Sequence, residues 1–390
     1  MGKRYTRKVS LNEKIWISAD RVFHPFVNRL MIEGNGTIDA HILRSAVEAA
    51  SEANPGSRIV LGGIPGRARW IDSGATPRIT EVDGSGWSGF SSEGAPFLLE
   101  TFPHVSKGPL CEVMLIQGTP LRICFRTHHA IMDGRGTMHW IEDIFRAMRN
   151  EPLIGSSSTL TDMDLPISFK NNLSGPRPGG CIAPTGASDG NERGTIWIRR
   201  YIKGRFKNLL PRIAVLTADE ARKHSEGKVI FNVPADRRTD HISPSTANLT
   251  VGVNIEVPPG TTPDFFADML KKQVRDQSRN IGLLFRTLYP LIPTWLMAMG
   301  LDSATKRMRS SGRYQISGLI TNLGRVPVDR YRAAGFQATS VFLLPLNFDS
   351  IPTFITMSGT ENSADIILGV PRMLASRNRI ETLLELISTI

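Results

Sequence analysis

The sequence predicts an α/β (α+β) protein of two lobes. Strand-like and helix-like patterns alternate in both halves of the chain, and one composition break separates those halves. At 390 residues and 41% hydrophobic content, the chain can form two ordinary domains or one large two-lobed unit. The break runs from Ser174 to Gly194, where Gly, Pro, Ser and Asp dominate and no hydrophobic period survives. The expected division is an N-terminal lobe over 1–165, a linker or mobile loop over 166–195, and a C-terminal lobe over 196–390.

The elements follow in order. Asn28–Glu33 reads as a strand, and Thr37 then opens a helix with Leu43, Ala46, Val47 and Ala50 on one face, at spacings of three and four. Val113–Ile116 and Leu121–Arg126 read as strands joined by the turn Gln117-Gly118-Thr119-Pro120. On the second of these, Leu121, Ile123 and Phe125 face one side, and Arg122, Cys124 and Arg126 the other. A helix follows Gly134, with Met138, Ile141, Ile144, Phe145 and Met148 as a core stripe.

In the second half, Val251, Val253, Ile255 and Val257 alternate as one strand face. Thr262 is a good helix cap with Pro263 at the first helical position, and Phe266, Met269, Leu270 and Val274 line the helix behind it. Further strands are expected at Tyr314–Leu319, Val341–Leu344, Phe354–Met357 and Ile366–Leu368, and a closing helix from Arg379 to Ile390. Ile281–Leu301 is long and apolar, but Arg286, Pro290 and Pro293 interrupt it, which favours a kinked, buried helix pair over a membrane span.

Composition excludes several classes. Cys111, Cys124 and Cys181 suit neither a disulfide framework nor a zinc knuckle, so reduced thiols in a cytoplasmic protein are expected. Met1–Ser10 is basic, but no apolar core follows it as a secretion signal would require. The net charge of +11 favours anionic partners, yet no basic run is interleaved with stacking aromatics, so nucleic acid is not expected. The densest basic stretch holds Arg199, Arg200, Lys203, Arg205, Lys207 and Arg212. It reads as a solvated face, or more sharply as a docking face for a phosphopantetheine-bearing partner.

The chemistry concentrates in His128-His129-Ala130-Ile131-Met132-Asp133-Gly134, on a strand-to-helix turn. Neighbouring residues at a strand end point in opposite directions, so one histidine can face a cleft while the other is held inside. Asp133, an acceptor-only carboxylate, needs a positive partner, and Gly134 would let the backbone turn tightly into the helix. A metal site is the competing reading, with His139 and Glu142 as extra ligands, but no metalloenzyme motif matches. Gly84-Ser85-Gly86-Trp87-Ser88-Gly89 lacks the spacing of a serine nucleophile elbow.

This segment resembles the His-His-x-x-x-Asp-Gly signature of the chloramphenicol acetyltransferase-like superfamily, which includes condensation domains and alcohol or polyketide-associated acyltransferases. Further echoes are Ser10-Leu11-Asn12-Glu13, Val233-Pro234-Ala235-Asp236-Arg237-Arg238 with Asn248, and Ser317-Gly318-Leu319-Ile320-Thr321-Asn322-Leu323-Gly324. The Asp-Phe-Gly-Trp-Gly segment of the plant BAHD type is missing; Val341-Phe342-Leu343-Leu344-Pro345 stands near its place.

The resemblance implies a pseudo-dimer of two lobes around a central tunnel. It implies acyl transfer from a thioester, either acyl-CoA or a phosphopantetheinyl carrier protein, to the amine or hydroxyl of a small-molecule acceptor, in secondary metabolism. His129 would be the general base, His128 a buttress, and Asp133 the partner of Arg238, with Arg237 in reserve. Asn322 would contact substrate or an oxyanion, and Asn248 would support the site. No bound cofactor or metal is implied, and a monomer is expected. An epimerase or cyclase on the same fold, and a catalytically silent docking module, are the alternatives. The intact second histidine and glycine argue against silence.

Overall fold

The structure, a computed structural model, describes residues 4–64, 67–165, 176–238, 244–276 and 291–390. Its N-terminal half runs β1 (Thr6–Lys8), α1 (Leu11–Asp20), β2 (Val27–Gly36), α2 (Ala40–Ala53), β3 (Ile59–Gly62), β4 (Arg69–Asp72), β5 (Arg78–Asp83), β6 (Cys111–Gln117), β7 (Leu121–His128) and α3 (Gly134–Met148). The second half begins with β8 (Thr195–Lys203), α4 (Leu209–His224), β9 (Ile230–Asp236), β10 (Thr250–Glu256), α5 (Pro263–Asp276) and α6 (Thr294–Ser311). It ends with β11 (Gly318–Arg325), β12 (Arg332–Ala333), β13 (Phe336–Leu344), β14 (Phe354–Gly359), β15 (Ser363–Pro371) and α7 (Arg379–Ile387).

Two six-stranded mixed sheets organise the molecule, in the orders β12-β13-β2-β7-β6-β5 and β10-β9-β11-β14-β15-β8. Helices α2 and α3 bury their apolar stripes on one face of the first sheet, around Leu43, Val47, Trp140, Ile144 and Phe145. Helices α4, α5 and α7 do the same on the second, around Ile213, Phe266 and Leu383. The inward faces meet through a third cluster that joins Met31, Met114 and Phe342 to Trp197 and Ile367. Consequently β7 is buried on both sides: Leu121, Ile123 and Phe125 face α3, and Cys124 faces the other sheet.

Several expectations shift. The first sheet takes β12 and β13 from beyond the expected lobe boundary, Leu343 pairing with Leu30. Residues 176–194 are not a free linker: Cys181 bridges Lys228 and Tyr314, Gly179 N–H donates to Gln315, and Cys181, Ile182 and Ala183 are buried. Residues 166–175, and 281–290 of the long apolar stretch, lie outside the described residues. The strand expected at Tyr314–Leu319 begins at Gly318 instead, because Tyr314 already bonds Cys181. Asp39, not Thr37, caps α2, accepting from the His41 and Ile42 amides. Arg199 leaves the basic surface altogether, buried against Asp365 (2.7 Å) and Glu33 (3.3 Å) and stacked on Phe342. No helix among the described residues is long and apolar enough to cross a membrane.

Candidate active site

The histidine pair sits where β7 ends. His128 closes the strand opposite Val27, and the chain then turns through 129–132 before α3 begins. The turn is held by His128 O accepting from Ile131 N (2.9 Å) and by His128 Nδ1 accepting from Ala130 N (3.1 Å). Because that nitrogen accepts, the His128 proton resides on Nε2. His128 is wholly buried; His129, pointing the other way, lines a cavity of about 500 Å³.

The His129 imidazole packs beside two aromatic rings, Trp16 and Phe26, which stack on each other at 5.7 Å. Trp16 of α1 lies 5.1 Å from it and Phe26 5.7 Å, centroid to centroid. Its backbone is pinned at both ends: His129 N–H donates to Phe26 O (3.1 Å), and Asn248 Nδ2 donates to His129 O (2.8 Å). Burial pushes its pKa down to about 4, helped by His128 and opposed by the Asp133 charge and the Met132 backbone. The ring is therefore a neutral imidazole across the physiological range.

Asp133 faces away from that ring and joins the two halves. It is the N-cap of α3, accepting from Gly136 N (2.7 Å). Arg238 grips it bidentately at 3.0 and 3.1 Å, and Leu249 N and Thr250 Oγ1 donate to it at 2.8 Å. Burial alone would raise this carboxyl, but the Arg238 charge and these donors hold it below its ordinary value. Arg238 is the partner and Arg237 is not: Arg237 N–H continues the backbone ladder to Leu249 O.

Gly134 does not provide the tight turn expected of it. It is the first residue of α3, it lines the cavity, and a Cβ there would meet only Leu323, at 3.5 Å. Gly136 is the constrained position, since a Cβ would fall 2.2 Å from the Thr246 carbonyl oxygen. His139 and Glu142 turn elsewhere, to Gly155 O (3.2 Å) and Arg330 (3.2 Å).

The cavity has two characters. Its lining includes the apolar Phe26, Leu344, Leu346, Phe348 and Phe354 and the polar Asn12, Arg135, Asn232, Asp236 and Asn322. Asn322 Oδ1 accepts from Gly324 N (2.8 Å), which fixes its amide so that the Nδ2 donors stay available. Asn322 also lines a second cavity of about 210 Å³, between Phe206–Pro211, Arg325 and the turn after β14. Trp16, Phe26 and Phe348 were not among the residues read as functional. Trp16 follows Ser10 by six residues and Phe348 follows Pro345 by three, so both stand just outside segments that the sequence marks.

No protein-family profile matches the sequence, and no curated protein matches it either. Solved structures do. A mutant starter condensation domain of rhizomide synthetase RzmA, in complex with C8-CoA, superposes with a TM-score of 0.64 at 13% identity, covering 100% of this chain and 97% of that one. The condensation domain of the Monacolin K polyketide synthase MokA gives 0.62 at 11% identity, covering 98% and 97%. The epimerization domain from the third module of tyrocidine synthetase B gives 0.60 at 14%, covering 99% and 98%.

Proposed function

We propose that this chain, which has the condensation-domain fold of the chloramphenicol acetyltransferase-like superfamily, transfers an acyl group from a thioester to an amine or hydroxyl acceptor. The observation that carries the reading is the placement of His129, packed against Trp16 and Phe26 in the wall of a cavity of about 500 Å³. Its Nδ1 is buried, so the ring meets the cavity through Nε2. Nε2 takes the proton from the acceptor as its nitrogen or oxygen attacks the thioester carbonyl. The collapse of the resulting oxyanion expels the thiolate, which leaves with a proton. Asn322 Nδ2 is the donor placed to stabilise that oxyanion. His128 and Asn248 hold the loop, and Asp133 with Arg238 holds the two halves in register behind it.

The thioester donor is acyl-CoA or an acylated carrier protein, both reaching the site on a phosphopantetheine arm. The second cavity, which shares Asn322 with the first, is the entrance we assign to it. Exposed Lys203, Arg205 and Lys207 lie on the chain just before Asn208 and Leu209 of its wall, and suit an anionic donor. The test is intact-mass detection of transfer from acyl-CoA and acyl-carrier donors to a panel of amines and alcohols. His129→Ala should fold and lose about two to four orders of magnitude in kcat, the usual contribution of a general base. Undiminished turnover in that variant ends the reading.

A further inference from the structure

We infer that Asp20, at the C-terminus of α1, is a positioning residue that acts on His129 through His128 and the Phe26 peptide. The inference rests on the acyl-transfer reading above. Asp20 is nearly buried and is not part of the His-His-x-x-x-Asp-Gly segment. Its Oδ1 accepts from Phe26 N (2.8 Å) and from His24 Nδ1 (3.1 Å). Its Oδ2 lies 3.6 Å from His128 Nε2, the nitrogen that carries the proton because Nδ1 accepts from Ala130 N. Nε2 has no hydrogen-bond partner of its own among the described residues, and this carboxylate is the group set beside it.

Those two contacts bracket the base. Phe26, held at its amide by Asp20, holds His129 N–H with its carbonyl and meets the imidazole edge-to-face with its ring. His128, with its ring set against the Asp20 carboxylate, accepts from Ala130 N–H on the far side of His129 in the chain. Trp16, which stacks on Phe26 and also packs against the imidazole, precedes Asp20 by four residues on α1, so both project from one side of that helix. One carboxylate thus stands against both Phe26, which holds the His129 amide, and His128, which precedes the base. It remains charged throughout, because the His128 ring, the Phe26 amide and His24 outweigh burial and bring its pKa down to about 2. Its contacts are with His128, Phe26 and His24 rather than with the His129 ring, so its effect on the base is geometric.

The test is Asp20→Asn, which keeps an oxygen for Phe26 N–H but sets an amide NH₂ against the Nε2–H of His128, donor against donor. The expected result is a folded protein whose kcat falls tenfold to a hundredfold, the scale of an ångström-level misplacement, with KM and the acidic limb of the pH profile unmoved. His128→Gln should lower kcat similarly, and the double variant no further than the worse single, since the two act as one unit. A double variant whose loss is the product of the two singles overturns the inference.

A second readout needs no turnover. In the ¹⁵N–¹H spectrum of wild type and Asp20→Asn, the His129 ring signals, assigned by their loss in His129→Gln, should shift or split. Superimposable ring signals would also overturn it. A wild type inert toward every thioester sinks the acyl-transfer reading instead, and the spectrum still decides the role of Asp20.

Discussion

Replacing Asp133 by alanine tests the claim that this residue joins the halves of the molecule. Three losses combine. The α3 N-cap disappears, worth about 1 kcal/mol. Arg238 loses its bidentate partner, and breaking a buried pair costs about 3–5 kcal/mol. The lower end applies, because Arg238 is 16% exposed and keeps Asp236 and the Ser245 and Ala247 carbonyls. Leu249 N and Thr250 Oγ1 also lose an acceptor.

A total of about 5 kcal/mol follows. For 390 residues at about 2.1 cal/mol/K each, the unfolding entropy is about 0.8 kcal/mol/K, so the midpoint should drop by about 6 °C. Circular-dichroism melting of Asp133→Ala, Arg238→Ala and the double variant measures this, with His129→Ala as the comparison. The double should be little worse than Asp133→Ala alone, since both remove the same pair. An Asp133→Ala protein that melts with the wild type but has lost activity would refute the reasoning and give Asp133 a direct part in the chemistry.

Three further outcomes follow from the same geometry. Because the His129 pKa falls to about 4 on folding, from about 6.5 unfolded, the unfolded chain binds the extra proton between those values. Stability is therefore lost as pH falls from 6.5 to 4, by on the order of 3 kcal/mol, and His129→Ala should flatten that slope in denaturant titrations. The acidic limb of kcat/KM should likewise lie near 4; a limb at 6.5 would show a solvated ring. Gly136→Ala should cost about 1–3 kcal/mol by forcing Thr246 away, whereas Gly134→Ala should melt like the wild type; the reverse order would contradict the close approach at Gly136. Reversing Arg200, Lys203 and Lys207 to glutamate should raise the donor KM and flatten its salt dependence with little change in kcat. An unmoved KM would place donor docking elsewhere.

Local pattern was legible where a face or a cap repeats. The stripe of α3, the Thr262 cap before Pro263 and the alternation on β7 are all written in neighbouring residues. What periodicity cannot name is the partner across a gap. The apolar run Val341–Leu344 reads as a strand, but nothing local tells β13 to pair with β2 rather than with a strand of its own half. The site divides the same way. The histidine pair stands out in one heptapeptide, whereas Trp16, Asp20 and Phe26 reach His129 only because α1 and the turn after it fold back over the end of β7. Glycine misled for a related reason: Gly134 reads as the tight turn into the helix, while the crowding that demands a glycine, at Gly136, comes from Thr246, over a hundred residues away.

The borrowed strand also sets a timetable for synthesis. Leu30 cannot find Leu343, nor Met31 its Phe342, until the last quarter of the chain has left the ribosome. At about 5–20 residues per second, that is a wait of roughly 15–60 s, during which β2 would present an open edge. The first half therefore cannot mature as a finished unit while the second is made, unlike domains that fold one after another. A gene truncated anywhere before codon 336 would yield a product whose first sheet lacks a strand, and such a product is prone to pair with its own copies.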